Sequence, residues 1–204
     1  EKVAEIAKKY NLIVVTDEVY DRLVYGGHKH TCFASLPGMK DHTILLGGFS
    51  KSYSMTGWRV GYALAPAPIL NTMVRIHQYS IMCAPTVSQM AACEALLNCE
   101  ESVQEMREEY DRRRRLIVDG LNSLGLPTFE PKGAFYAFPD IRSTGLDDET
   151  FCKRLLYEAR VAMVPGSAFG PHGAGYVRAS YATSYEKIEE ALERIGNFLK
   201  KHRA

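Results

Sequence analysis

Hydrophobic and polar positions follow two periods along this chain, and the changes between them mark the predicted elements. Residues 1–10 carry apolar side chains at helical spacing. Residues 12–16 form a β-branched run without alternation, which is typical of a strand buried on both faces in a parallel sheet. A second apolar run covers residues 42–46. A third, at 59–65, follows too closely for a helical crossover, so we expect these two strands to be antiparallel.

Beyond residue 66 the apolar spacing becomes helical. It predicts helices at 67–80 and 85–97, and a long, charge-rich helix at 100–124 that ends at Gly125. Short strands are predicted at 128–130, 134–138, 161–164 and 176–180, with further helices at 148–159 and from Ser184 onward. Because helices and buried strands alternate, we expect an α/β part, 1–105, and a smaller α+β part, 106–204, linked by the long helix.

Composition narrows the class of protein. The chain has 204 residues, of which 46% are hydrophobic and 24% charged, and its formal net charge is +1. This apolar content excludes intrinsic disorder, and the balanced charge gives no reason to expect nucleic acid or an anionic membrane as a partner. No apolar run approaches the roughly 20 residues that a helix needs to cross a bilayer.

The cysteines indicate a reducing compartment. They are odd in number and lack C-x-x-C spacing, and no pair of histidines stands at a zinc-type interval; they are Cys32, Cys83, Cys93, Cys99 and Cys152. We therefore expect reduced thiols, a cytoplasmic protein and no metal site.

Reactive side chains stand at the ends of the predicted strands of the first part. Asp17 and Tyr20 follow the first strand, Ser50 and Lys51 follow the second, and Arg59 comes eight residues after the lysine. Ligands of open α/β sheets bind at the carboxyl ends of strands, so these side chains are candidates for a binding site. A nucleotide P-loop is excluded, because that motif requires glycine immediately before its lysine and Ser50 stands there.

The segment 50–62, Ser-Lys-Ser-Tyr-Ser-Met-Thr-Gly-Trp-Arg-Val-Gly-Tyr, resembles the cofactor-lysine segment of the class I/II, fold-type I pyridoxal-phosphate aminotransferases. Residues 16–20, Thr-Asp-Glu-Val-Tyr, and residues 176–182, Tyr-Val-Arg-Ala-Ser-Tyr-Ala, resemble other signatures of that family in the same order. The resemblance implies that 1–105 is the later half of the large, mainly parallel cofactor domain and that 106–204 is the small domain. We therefore expect a C-terminal part of a longer protein, inactive alone.

The resemblance implies roles for three residues around a pyridoxal phosphate ring. Lys51 is expected to form a Schiff base with the cofactor aldehyde and afterwards to move the proton at the substrate Cα. Asp17 is expected to pair with the pyridine nitrogen and keep it protonated, so that the ring accepts electrons. Tyr20 is expected to hydrogen-bond the phenolic oxygen of the ring.

The resemblance also implies two anion sites. Ser50 and Arg59 are expected to hold the cofactor phosphate, for which the guanidinium fork is well shaped. Arg178 is expected to clamp the α-carboxylate of the substrate. The chain departs from many relatives at Gly48, where they carry Ser or Thr, so one hydroxyl contact to the phosphate is missing.

The implied activity is transfer of an amino group from an amino acid of aspartate, aromatic or general type to a 2-oxo acid, by a homodimer. Two alternatives remain open. The same scaffold supports PLP-dependent C–S lyases, and aminotransferase-like sensing domains occur in some bacterial transcription regulators. The residues at hand serve all three, because they concern the cofactor rather than the fate of the substrate.

Overall fold

A computed structural model describes residues 1–202, which form two compact units, the first Glu1–Arg107 and the second from Glu108 onward. One long helix, α4 (Glu100–Ser123), starts in the first unit and continues in the second. None of the helices within 1–202 combines the length and the apolar character needed to span a bilayer.

The first unit is built on a three-stranded sheet. A short helix, α1 (Lys2–Lys9), leads into β1 (Val14–Asp17), which pairs in parallel with β2 (Thr43–Gly48). β2 pairs with β3 (Gly61–Leu64) in the antiparallel sense, so the predicted direction of the third strand is confirmed. Strand order is therefore β1-β2-β3.

The expectation that the first strand is buried on both faces is wrong for the described chain. β1 is an edge strand, and α1 covers one side of it by packing Ala4 and Ala7 with Met39 against Val14. On the other side Val15 remains 62% exposed. The β-branched run therefore forms the strand, but within residues 1–202 only one of its faces is covered.

Two helices follow β3, within one residue of the bounds that the helical spacing predicts. They are α2 (Ala67–Ser80) and α3 (Thr86–Asn98). α3 packs Ala92 and Ala95 against Phe49 and Met55, so this small core lies directly under the turn that contains Lys51.

The second unit joins a small antiparallel sheet to helices. Its strands β4 (Tyr136–Ala137), β5 (Val164–Pro165) and β6 (Val177–Ser180) are arranged in the order β4-β6-β5. Helix α5 (Asp148–Arg154) continues into one π-helical turn, Leu155–Ala159, and α6 (Tyr185–His202) ends the described chain. The buried side chains of Phe151, Leu155, Tyr181, Ile195 and Phe198 are part of its core.

The strand predicted at 128–130 is absent from the structure. The Asn122 side chain at the end of α4 accepts a hydrogen bond from the Thr128 amide, 2.8 Å, and donates one to the Thr128 carbonyl, 3.1 Å. The backbone groups of Thr128 are thus satisfied by a side chain instead of a neighbouring strand. Short 3-10 turns complete the fold at Phe33–Ser35, Lys40–His42, Thr56–Trp58, Arg142–Thr144, Gly166–Phe169 and Pro171–Gly173.

Candidate active site

The turn after β1 carries the first two candidate residues, Asp17 and Tyr20. The Asp17 carboxylate is exposed and accepts a hydrogen bond from the Val19 amide, 3.2 Å, which fixes the start of the turn. Tyr20 is half-buried, and its carbonyl accepts from the Leu23 amide, 3.0 Å. The acid and the phenol therefore stand on one short, hydrogen-bonded segment.

Glu18, between them, faces the protein interior. Its side chain is 7% exposed, and its carboxylate accepts hydrogen bonds from the Phe33 amide, 2.9 Å, and the Thr16 hydroxyl, 3.3 Å, and contacts His30 Nε2 at 2.7 Å. Burial acts to raise the pKa of Glu18, but these partners outweigh it and hold the pKa below the ordinary value. Glu18 thus ties the loop that contains His30 and Phe33 to the end of β1.

The turn after β2 carries Ser50 and Lys51. The Tyr53 amide donates to the Phe49 carbonyl, 3.3 Å, and the Ser54 amide to the Lys51 carbonyl, 3.3 Å, so the lysine lies on a single helix-like turn. Lys51 is half-buried above the core formed by Phe49, Met55 and α3. A packed turn of this kind holds the backbone of the lysine in one position.

Glycines at the end of β2 allow an aromatic ring to approach the sheet closely. A Cβ at Gly47 would lie 2.6 Å from Cε2 of Tyr62 on the adjacent strand, so only glycine leaves room for the ring where it lies. The Tyr62 ring packs edge-to-face on Phe49, with 5.9 Å between ring centroids. Gly47 therefore has a packing reason, whereas a Cβ at Gly48 would make only ordinary contacts, at 3.6 Å and beyond.

Arg59 lies just before β3 in a left-handed backbone conformation, with φ 52°. Its guanidinium donates to the carbonyl of Thr56, 2.8 Å. The 56–59 turn is thereby closed by the side chain that is the candidate phosphate ligand.

Strand register brings five candidate residues to one edge of the sheet. Asp17 is opposite Leu46 on the parallel strand β2, so the turns that follow β1 and β2 leave the sheet on the same side. Gly48 is opposite Gly61 on the antiparallel strand β3, so the residues that precede β3 begin there as well. The candidates at this edge are Asp17, Tyr20, Ser50, Lys51 and Arg59.

Arg178 belongs to the second unit, on β6 opposite Val164 of β5. Its guanidinium carbon lies 4.4 Å from the centroid of the Tyr136 ring and 4.4 Å from that of the Phe169 ring. No carboxylate among residues 1–202 forms an ion pair with it. Two aromatic rings thus orient a guanidinium that has no acidic partner in the described chain, which suits it to an external carboxylate.

Sequence motifs identified the charged candidates but not their supports. Ser52, Asp21, Glu18, Tyr136 and Phe169 hold the candidate segments or side chains through contacts with residues distant in the chain. The aromatic residues in the predicted strand 134–138 are the sequence signal that could have pointed to Tyr136. The assigned roles of the six candidates remain predictions.

The fold and this sheet edge define an α/β protein with an amine and an acid at the carboxyl ends of two parallel strands. The model of the family "Aminotransferase class I and II" matches residues 1–195. The chain belongs to this family.

Curated relatives and solved structures agree with this assignment. The chain is 50% identical over 202 residues to an aspartate aminotransferase of Pyrococcus abyssi, and 49% identical over 202 residues to aromatic-amino-acid aminotransferase 2 of Thermococcus litoralis. Each match covers 98% of this chain and 52% of the relative, so the chain spans about half the length of the curated relatives it matches.

Among solved structures, the chain is similar to an aromatic aminotransferase from Pyrococcus horikoshii, with TM-score 0.95 and 51% identity over 98% of this chain and 54% of that one. A Thermus thermophilus aspartate aminotransferase mutant matches with TM-score 0.87 and 39% identity, over 96% and 50%. These neighbours confirm the predicted fold class, part of a fold-type I aminotransferase.

Proposed function

We propose that the whole protein is a pyridoxal-phosphate-dependent aminotransferase that moves an amino group from an amino acid to a 2-oxo acid. The observation that carries the proposal is the common sheet edge of Lys51 and Asp17 in a chain of this family. Relatives named as aspartate and aromatic-amino-acid aminotransferases support substrates of those two types. In this proposal 1–105 belongs to the cofactor domain and 106–204 to the small domain.

The donor set at the sheet edge fits the cofactor. When bound, pyridoxal phosphate supplies an aldehyde that links to amines and a ring that accepts electrons from the substrate Cα. Lys51 offers the amine, Asp17 a carboxylate for the ring nitrogen, and Tyr20 a phenol for the ring oxygen. An edge with an amine, an acid and a phenol matches the three polar positions of the ring.

The phosphate of the cofactor needs donors, and the turns after β2 and before β3 offer a hydroxyl at Ser50 and a guanidinium at Arg59. Gly48 offers its backbone without a hydroxyl, so Ser50 and Arg59 carry more of the phosphate binding than in relatives that have Ser or Thr there. At the substrate, Arg178 holds the α-carboxylate, and its ring contacts limit the orientations of the fork. Lys51, once its amine is free, would take the proton from the substrate Cα and deliver it to the carbon that carried the cofactor aldehyde.

The proposal extends to the assembly and location of the whole protein. Large apolar side chains are exposed along α2 and α3, and Tyr79 is 90% exposed. Exposed apolar helix faces mark interaction sites, and we assign this one to a second copy in a homodimer. All five cysteines are free, which is consistent with the cytoplasm.

The cofactor proposal is tested with the full-length protein by titrating it with pyridoxal phosphate and recording the absorbance band of the bound form. We expect Lys51→Ala to lose the band of the linked cofactor, whereas Arg178→Leu keeps it and requires more amino acid to change it. Lys40→Ala, at an exposed lysine of the same unit, is the matched control and should behave as wild type. A normal band in Lys51→Ala would reject Lys51 as the linkage site.

A further inference from the structure

A buried side chain, Ser52, joins the two turns that carry the proposed cofactor residues. Ser52 is 1% exposed. Its hydroxyl lies 3.0 Å from Oδ1 of Asp21 and 3.3 Å from the carbonyl oxygen of Val19. Both acceptors belong to the turn after β1, and Ser52 itself follows Lys51 on the turn after β2.

The acceptor Asp21 is fixed from its other side. Its Oδ1 also accepts from the Arg22 amide, 2.9 Å, and the Arg22 guanidinium makes two bonds to the Glu100 carboxylate, 2.8 and 2.9 Å. These contacts orient the Asp21 carboxylate independently of Ser52. A hydrogen bond to an ionised, pre-oriented acceptor is stronger than one between neutral groups.

The position of this bond along the chain gives it a meaning beyond stability. Val19 and Asp21 flank Tyr20, and Ser52 adjoins Lys51, so the bond ties together the two turns that carry the phenol and the amine. Closer to the sheet, a backbone hydrogen bond already joins the ends of β1 and β2: the Glu18 amide donates to the Leu46 carbonyl, 2.8 Å. The Ser52 hydroxyl adds a connection beyond the ends of the strands, where it holds the two turns together.

We propose that Ser52 and Asp21 are positioning residues that set the Lys51 amine against the Asp17–Tyr20 turn. The proposal rests on the proposed function, since it concerns the cofactor held by Lys51. Neither residue is among the proposed cofactor contacts. Their contribution is geometric, and a displacement of about 1 Å in a reacting group can cost up to about a hundredfold in rate.

The test compares Ser52→Ala with Ser54→Ala in the full-length holoenzyme. Ser54 is an exposed serine on the same turn, and its hydroxyl hydrogen-bonds the Met106 sulfur, 3.0 Å. We expect Ser52→Ala to lower kcat about tenfold with KM within about twofold. We also expect it to move the pH midpoint of the cofactor absorbance change by about half a unit, because the amine and the phenol no longer hold their spacing. Ser54→Ala should leave all three unchanged.

A double-mutant cycle separates positioning from a general loss of stability. Asp21→Ala should reproduce the fall in kcat and the shifted midpoint, and the double variant should be no worse than either single one, because both remove the same bond. Asp21→Asn, which keeps an acceptor oxygen, and Ser52→Thr, which keeps the hydroxyl, should restore most of kcat.

Wild-type kcat and midpoint in Ser52→Ala, or additive losses in the cycle, would overturn the proposal. So would a fall in melting temperature in Ser52→Ala and Asp21→Ala with no change in the midpoint. If Ser52→Ala fails to fold, the comparison of Asp21→Ala with Asp21→Asn gives the same test. Failure of the proposed function is distinguishable, since it appears as a wild-type protein that gives no cofactor band, or that releases ammonia instead of transferring the amino group.

Discussion

Glu18 illustrates how one buried acid organises the end of β1. Its carboxylate binds a hydroxyl from β1 and an amide and an imidazole from one loop, which leaves Asp17 and Tyr20 on either side of a fixed residue. The motif Asp-Glu-Val-Tyr predicted Asp17 and Tyr20 as candidates. It could not identify the partners of Glu18, because Phe33 and His30 are brought to it by a loop whose path no local pattern encodes.

The lowered pKa of Glu18 predicts a pH-dependent contribution to stability. The folded pKa lies below the unfolded value, about 4.3, so the stabilisation is complete above that value and is lost as the pH falls through the folded pKa. At neutral pH, Glu18→Gln should lower the free energy of unfolding by about 1–2 kcal/mol, and its difference from wild type should shrink on acidification.

Urea unfolding of the full-length protein from neutral to acidic pH measures this difference. Glu5→Gln, at an exposed glutamate on α1, is the control and should track wild type throughout. A Glu18→Gln difference that stays constant from neutral pH to well below the glutamate range would contradict the account.

At the scale of elements, the spacing of hydrophobic residues predicts most helices correctly. It fails for a short strand where a side chain, instead of a neighbouring strand, hydrogen-bonds the backbone. The predicted helix 67–80 is α2, and the predicted 100–124 is close to α4. The predicted strand 134–138 contracts to β4. Residues 128–130 form no strand, since the Asn122 side chain pairs with the backbone of Thr128. The spacing of hydrophobic residues cannot distinguish a short run that pairs with a neighbouring strand from one whose backbone is hydrogen-bonded by a side chain.

A close backbone crossing in the second unit predicts a glycine requirement at Gly166. A Cβ there would lie 2.6 Å from the Tyr176 carbonyl oxygen and closer still to the carbonyl of Gly173. Since backbone cannot yield as a flexible side chain does, Gly166→Ala should cost about 3 kcal/mol. Gly57→Ala, where nothing lies within 4 Å of the new Cβ, should stay within about 0.5 kcal/mol.

Chemical denaturation followed by circular dichroism compares the two glycine variants. A Gly166→Ala variant as stable as Gly57→Ala would contradict the prediction, because it would show that the backbone at 173 and 176 moves aside at no cost in stability.

At the scale of the whole molecule, the chain spans about half the length of the curated relatives it matches, and apolar side chains are exposed on α2 and α3. Ile76 and Tyr79 stand three residues apart on α2, hence on one face, and are 65% and 90% exposed. If a second copy covers this face, two charges placed there must be buried without partners, which is strongly unfavourable.

Ile76→Glu with Tyr79→Glu should therefore raise the dimer dissociation constant of the full-length protein at least about a hundredfold. Sedimentation velocity over a range of concentrations measures the change, and Gln78→Glu, on the same helix, is the control and should remain dimeric. A monomeric wild type, or a double variant that sediments as wild type, would contradict the homodimer.

The central claim concerns the fate of the amino group, which separates transfer from elimination and from ligand sensing. The most direct measurement mixes the full-length holoenzyme with aspartate or an aromatic amino acid, without an acceptor, and follows cofactor absorbance together with 2-oxo acid and ammonia. We predict one turnover, with 2-oxo acid equimolar to the protein, no ammonia, and reversal of the absorbance change when a 2-oxo acid is added. Continuous release of ammonia with 2-oxo acid, or binding without conversion, would contradict the account.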